Sequence, residues 1–184
     1  MENQVVNKIQ IEGTERAIEL FHSISQRLNK KSSDKITQIS RLLWKTTWKA
    51  TIDWNYENLK CKWAVVEKTG RDFIIVLSGW DPADGVQDKI FKSIKKIDPN
   101  VIIRNEFHND DLKFIGTRIL YKEYIIEHKI DAKDIKDNIT VDKDDKKYDS
   151  ILNELRKANL YFAEIELQEF MQYEEGNTSD YELQ

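Results

Sequence analysis

The chain has a single cysteine, Cys61, in 184 residues. That excludes an intrachain disulfide and every zinc motif built on paired thiols, and it points to a reducing compartment, the cytoplasm. Two prolines and six glycines leave no room for a low-complexity linker, so one domain with an appendage is expected rather than two full domains. No apolar run approaches the roughly 20 residues that span a bilayer, and no membrane contact is expected. Met1-Glu2-Asn3-Gln4 offers no basic stretch followed by an apolar one, so no signal peptide is expected either. Phosphate-cradling glycine loops, HExxH, GxSxG and EF-hand loops are all missing. His22, His108 and His128 have no ligand-like spacing, and neither a metal nor another cofactor is expected.

What is present is enough for a core: 40% hydrophobic and 10% aromatic residues, under a surface implied by 34% charged ones. The net charge of −4 is unevenly spread. Residues 1–130 hold 22 Lys or Arg against 18 Asp or Glu, a balance of +4, while residues 131–184 hold 7 against 15, a balance of −8. A mildly basic body with an acidic tail lacks the concentrated basic face of a strong phosphate binder, so nucleic acid is not the expected partner.

The chain organises around residues 61–97. Lys62 to Val66 alternates as a strand, Lys68-Thr69-Gly70-Arg71 is a turn, and Phe73-Ile74-Ile75-Val76-Leu77 is a β-branched strand. Asp81 is then read as a helix N-cap and Pro82 as its first residue, with Val86, Ile90, Ile94 and Ile97 at helical spacing before Asp98-Pro99-Asn100 stops it. Upstream, Val5, Asn7, Ile9 and Ile11 share one face of a strand, and Ala17, Leu20, Phe21, Ile24 and Leu28 form a helical stripe. A second helix is read from Asp34 to Lys45, and the aromatic-rich 44–58 stretch as a loop or broken helix. Downstream, Val101–Phe107 is a strand, and a further strand begins at Leu112 and continues through Tyr121 toward Ile126. Residues 131–173 are read as a charged connector followed by an amphipathic helix from Tyr148 to about Met171. Residues 174–184 are an acidic tail with little to bury, expected to be disordered.

The order β-α-β-β-α-β over residues 1–130 is that of a ferredoxin-like split βαβ sandwich, an α+β fold, here with an aromatic-rich insertion and a C-terminal helix. Four short motifs add to this. They are Asn3-Gln4-Val5-Val6-Asn7-Lys8-Ile9 with Gly13, Asn58 through Trp63, Ser78-Gly79-Trp80-Asp81-Pro82, and Phe114-Ile115-Gly116. In that order they resemble the YubB-type ferredoxin-like proteins, a largely uncharacterised family of phages and plasmids. The central motif departs from the family in lacking its Trp-Gly-Thr, while Asn58, Lys62 and Trp63 match. The resemblance implies a four-stranded sheet of order 4-1-3-2 and a mobile-element origin; it implies no established activity.

Most residues with chemical potential have ordinary readings. Cys61 reads as a half-buried strand cysteine. Asp53 and Glu57, spaced i, i+4, read as surface ion-pairing groups among Lys45, Lys49, Lys60 and Lys62. The tryptophans stand apart, because so polar a segment cannot bury Trp44, Trp48, Trp54 and Tyr56 together, and exposed aromatics anchor protein interfaces. With Asn58, Lys62 and Trp80 they form the candidate partner-binding set. The expected role is a non-catalytic protein-binding module acting on a host or phage protein, inhibition of a bacterial defence system being the specific form. A homodimer is one way to cover the second apolar face of the Phe73–Leu77 strand. The alternative is a single-stranded nucleic-acid domain that stacks bases on its sheet.

Overall fold

The computed structural model describes residues 3–30, 35–48, 50–131 and 147–179. The chain is α+β, with five helices and one fully antiparallel six-stranded sheet among the described residues. The strands are β1 (Gln4–Glu12), β2 (Ala64–Thr69), β3 (Phe73–Gly79), β4 (Ile102–Asn109), β5 (Phe114–Tyr121) and β6 (Tyr124–Asp131). The helices are α1 (Glu15–Leu28), α2 (Lys35–Trp44), α3 (Ile52–Asn58), α4 (Asp84–Ile94) and α5 (Tyr148–Ser179). The sheet order is β2-β3-β1-β4-β5-β6. The expected four-stranded sheet is therefore corrected to six strands, in which the run β4-β1-β3-β2 is extended beyond β4 by β5 and β6.

Two strands stand where one was expected after Leu112. Tyr121 pairs with Tyr124, so Lys122-Glu123 is a two-residue hairpin loop, and Lys122 takes a left-handed φ of 49°. That conformation normally calls for glycine or asparagine, and neither marks the turn in the sequence. The helix after β3 also begins later than expected. Asp81 does not cap it: Ala83 is the N-cap, and the Ala83 amide donates at 3.0 Å to the buried Asn7 Oδ1 of β1. A side chain 76 residues away thus caps α4, a long-range partner that local spacing cannot reveal.

The pleat of β1 sorts the core. Val5, Asn7, Ile9 and Ile11 are buried and alternate with half-buried neighbours. On that face, Ile9, Ile11, Ile74, Val76 and Ile103 meet Ala17, Phe21 and Ile24 of α1, Ile39 of α2, and Val86, Ile90 and Ile94 of α4. This is one continuous apolar cluster, and fully burying each large side chain in it is worth about 1.5–3 kcal/mol. Asp98 closes its end, accepting from the Thr14 amide at 2.7 Å and the Asn100 amide at 3.1 Å.

The opposite face is covered differently. Helix α5 lies over β5 and β6, as a C-terminal helix with an apolar stripe requires. It meets the sheet in two patches. Ala163 and Leu167 sit on Ile102, Ile119, Tyr121 and Ile126; Tyr148 and Leu152 sit on Leu112 and Ile115. Between them, Arg156 reaches Glu106 at 3.1 Å and Arg104 pairs with Glu164. The outward side chains of β3, Phe73, Ile75 and Leu77, are half-buried, flanked in register by Gln10, Lys8 and Val6. The aromatic insertion does not cover them, because Trp44 and Trp54 pack against the other face with α1 and α4. At the far edge, β2 carries a register break between Val66 and Lys68, a bulge in the edge strand.

The connector expected from residue 131 falls at 132–146, outside the described residues. The tail expected to be disordered from 174 is helical as far as Ser179, and residues 180–184 lie outside the described ones.

Candidate docking surface

Asn7, Trp63 and the Ser78-to-Asp81 segment, from three of the four motifs, converge at the β3–α4 turn. Asn7 donates to the Val76 carbonyl at 3.1 Å and to Ser78 Oγ at 2.9 Å, and its Oδ1 also accepts from Asn105 Nδ2 at 3.2 Å. Ser78 Oγ in turn donates to the Asp81 carbonyl at 2.7 Å. The Trp63 indole lies so close over Gly79 that any Cβ there would collide with it. These contacts join β1 to β3, to β4 and to the turn, so these residues do structural work.

Trp80 differs from them. Its amide donates to the Asn3 carbonyl at 2.8 Å, its φ is 73°, and its side chain is 49% exposed with Lys62 Nζ 4.7 Å from the ring centroid. A bulky residue held in the left-handed region, with its ring turned outward, is a strained and exposed anchor.

The remaining predicted residues divide in two. Trp54 makes edge-to-face contacts with Trp44 and with Trp48, each at 5.6 Å between centroids. Trp44 and Trp54 are half-buried against the main core, and only Trp48 reaches the surface, at 48% exposure. Much of this set is therefore packing. Asn58 donates to the Trp54 carbonyl at 3.0 Å and, with Trp44, lines a shallow depression of about 230 Å³ against α4; Tyr56 is half-buried. The structure thus brings Trp44, Trp48, Trp54 and Asn58 into one neighbourhood and Lys62 with Trp80 into another.

Nucleophilic chemistry at Cys61 has no support. Burial, reinforced by the charges of Asp84 and Asp81, pushes its thiol up to about 12, so the thiolate is scarcely populated at neutral pH. Burial likewise pushes the Asp84 carboxyl up to about 6, against the opposing pull of Arg118. Arg118 itself is held by Asp88 at 2.8 Å and by Gln87 at 3.0 Å, a buried network that ties α4 to β5. Among the described residues, no three His, Cys, Asp or Glu side chains come together as a metal site, and no helix is long and apolar enough to cross a membrane.

A further surface feature lies where no candidate was placed. A groove of about 660 Å³ runs between the outer flank of α5 and β6. Tyr124 stacks on Phe170 at 4.4 Å, and His128 Nε2 lies 2.7 Å from Glu166 Oε2; together they form its inner wall. Phe162, Ile165 and Tyr173 stand 56%, 41% and 68% exposed along α5. These positions belong to a second stripe, in which Glu166 and Glu169 alternate with apolar side chains. Residues 162, 165, 166, 169, 170 and 173 recur at helical spacing, offset from the 152, 163 and 167 positions that face the sheet. That offset is legible in the sequence, but it was absorbed there into a single amphipathic stripe.

Comparison of the chain with protein-family models, with curated proteins and with solved structures finds no match.

Proposed function

We propose that this chain is a non-catalytic protein-binding module whose docking surface is the α5–β6 groove. The observation that carries this reading is the outer stripe of α5. Three large apolar side chains stand at the surface beside a ready groove, which a chain without a partner has no reason to expose together. Trp80, held outward with Lys62 across its ring, is a second anchor point at the other end of the sheet. We also read β1-α1-β2-β3-α4-β4 as a ferredoxin-like core carrying β5, β6 and α5 as an appendage; the run β4-β1-β3-β2 supports this. The motif resemblance suggests a phage or plasmid setting, in which the partner is a host or phage protein and inhibition of a bacterial defence system is the specific role.

The test is affinity capture with the full chain and with Phe162→Asp/Ile165→Asp. A partner held by the parent chain and lost by the variant supports the reading. Loss on Trp80→Ala alone would move the surface to the β3–α4 turn, and turnover of a metabolite with no protein partner would overturn the reading. Single-stranded nucleic-acid binding fits less well. On the open sheet face the rings of Phe73 and of Trp63, which lies over Gly79, stand at opposite ends of β3 rather than side by side as a stacking platform, and α5 lays acidic residues across the other half.

A further inference from the structure

We propose that the α5–β6 groove accepts a basic amphipathic helix from a partner protein. This rests on the protein-binding reading above and names the chemistry of the partner.

The charge of the groove selects the partner. Residues 158–174 contain four Glu and no Lys or Arg. Glu166 and Glu169 line the groove itself, while Glu164 and Glu174 further along α5 are taken up by Arg104 and Lys122. His128, the histidine among the groove's lining residues, lies against Glu166. An apolar floor rimmed by carboxylates is complementary to apolar anchors flanked by Lys or Arg. The same charge argues against a second copy of this chain. A twofold pairing would set an acidic stripe against itself, where like charges are repulsive.

The shape of the surface selects a helix. Phe162 to Tyr173 covers about 16 Å of α5 at about 1.5 Å per residue, or about three turns. Side chains at i, i+3, i+4, i+7, i+8 and i+11 make the ridge and groove that a second helix packs against, with its own anchors at i, i+3, i+4 and i+7.

The experiment is fluorescence anisotropy with the full chain and labelled peptides of about 15 residues that carry Leu at i, i+3, i+4 and i+7. One peptide has Lys at the other positions; two controls have Glu or Gln there. The Lys peptide should bind saturably and weaken at least about 5-fold between about 50 mM and about 300 mM salt. Ile165→Asp and, separately, Tyr173→Asp should weaken it by about 10-fold or more, with unchanged circular dichroism, since both side chains are exposed. Glu166→Lys/Glu169→Lys should turn the preference toward the Glu peptide. If the Glu or Gln peptide binds the parent chain as tightly as the Lys peptide, the basic-partner inference fails while the groove stands. If neither Asp variant changes binding of the Lys peptide, the groove falls, and the inference with it. A parent chain that is dimeric by light scattering and made monomeric by Ile165→Asp would also overturn the proposal, with a second copy as the occupant.

Discussion

On one face of the sheet, α1, α2 and α4 close over a contiguous core that runs from Ile9 to Ile103. On the other, α5 touches down on two separate patches, one around Leu167 and one around Leu152, with arginine–glutamate pairs between them. The two coverings hold their helices by different means. The first relies on buried area, which is non-directional and large. The second relies on less apolar area plus partly exposed ion pairs, each worth only about 0–1 kcal/mol. A helix held this way retains an outer face free to do something else. The contrast teaches that the larger share of buried apolar area lies under α1, α2 and α4, while the helix laid against the other face keeps an outer side that the fold does not use.

That contrast can be broken deliberately. The largest effect should come from Phe21→Ala, which opens a cavity where the side chain is fully buried. It should lower global stability by about 3–5 kcal/mol in denaturant unfolding; a loss below about 1 kcal/mol would mean the main core is not continuous. Asn7→Ala should follow at about 2–4 kcal/mol, since it strips the cap from the Ala83 amide and leaves Asn105 and Ser78 without a partner they now share. Near-neutral behaviour there would show the turn to be self-sufficient.

Leu167→Ala should cost about 2–3 kcal/mol, but locally. Hydrogen exchange should accelerate in α5 and β6 while α1 and β1 keep their protection. Equal acceleration everywhere would show that the two faces unfold as one. Asp84→Asn sharpens the comparison through pH. The folded carboxyl titrates at about 6 against an ordinary 3.8, so the unfolded chain loses its proton first as pH rises. The resulting penalty is absent below about 4 and complete above about 6, so the variant should gain about 1–2 kcal/mol at pH 7 and nothing near pH 4. A gain of equal size at both pH values would disprove that titration. Smallest of all, Ile165→Asp should change stability by no more than about 0.5 kcal/mol, whatever it does to binding.

Much of the first face was legible because its signals are local. The alternation of Val5, Asn7, Ile9 and Ile11 and the stripe of Ala17, Phe21, Ile24 and Leu28 correspond directly to buried positions. The β5–β6 hairpin was not legible, because Lys122-Glu123 carries no turn residue and tertiary pairing imposes the left-handed φ. Asp81 and Pro82 spell a helix start, yet Asn7 takes over the cap from across the sheet. At the candidate surface, composition pointed to the tryptophans, which do cluster, but two of the three spend their rings on each other and on the core. The exposed stripe of α5 was hidden by a simple geometric fact: two stripes on one helix, summed, look like a single broad one.

The bulge in β2 has a consequence for the molecule in crowded solution. Six antiparallel strands present two outer ladders, at β2 and at β6, among the described residues. Head-to-tail stacking of sheets into fibres needs both. The break between Val66 and Lys68 interrupts the register of β2, and a bulge in an edge strand increases its local twist and disturbs the ladder it offers outward. An interrupted edge is a poorer template for strand pairing between copies than a continuous one.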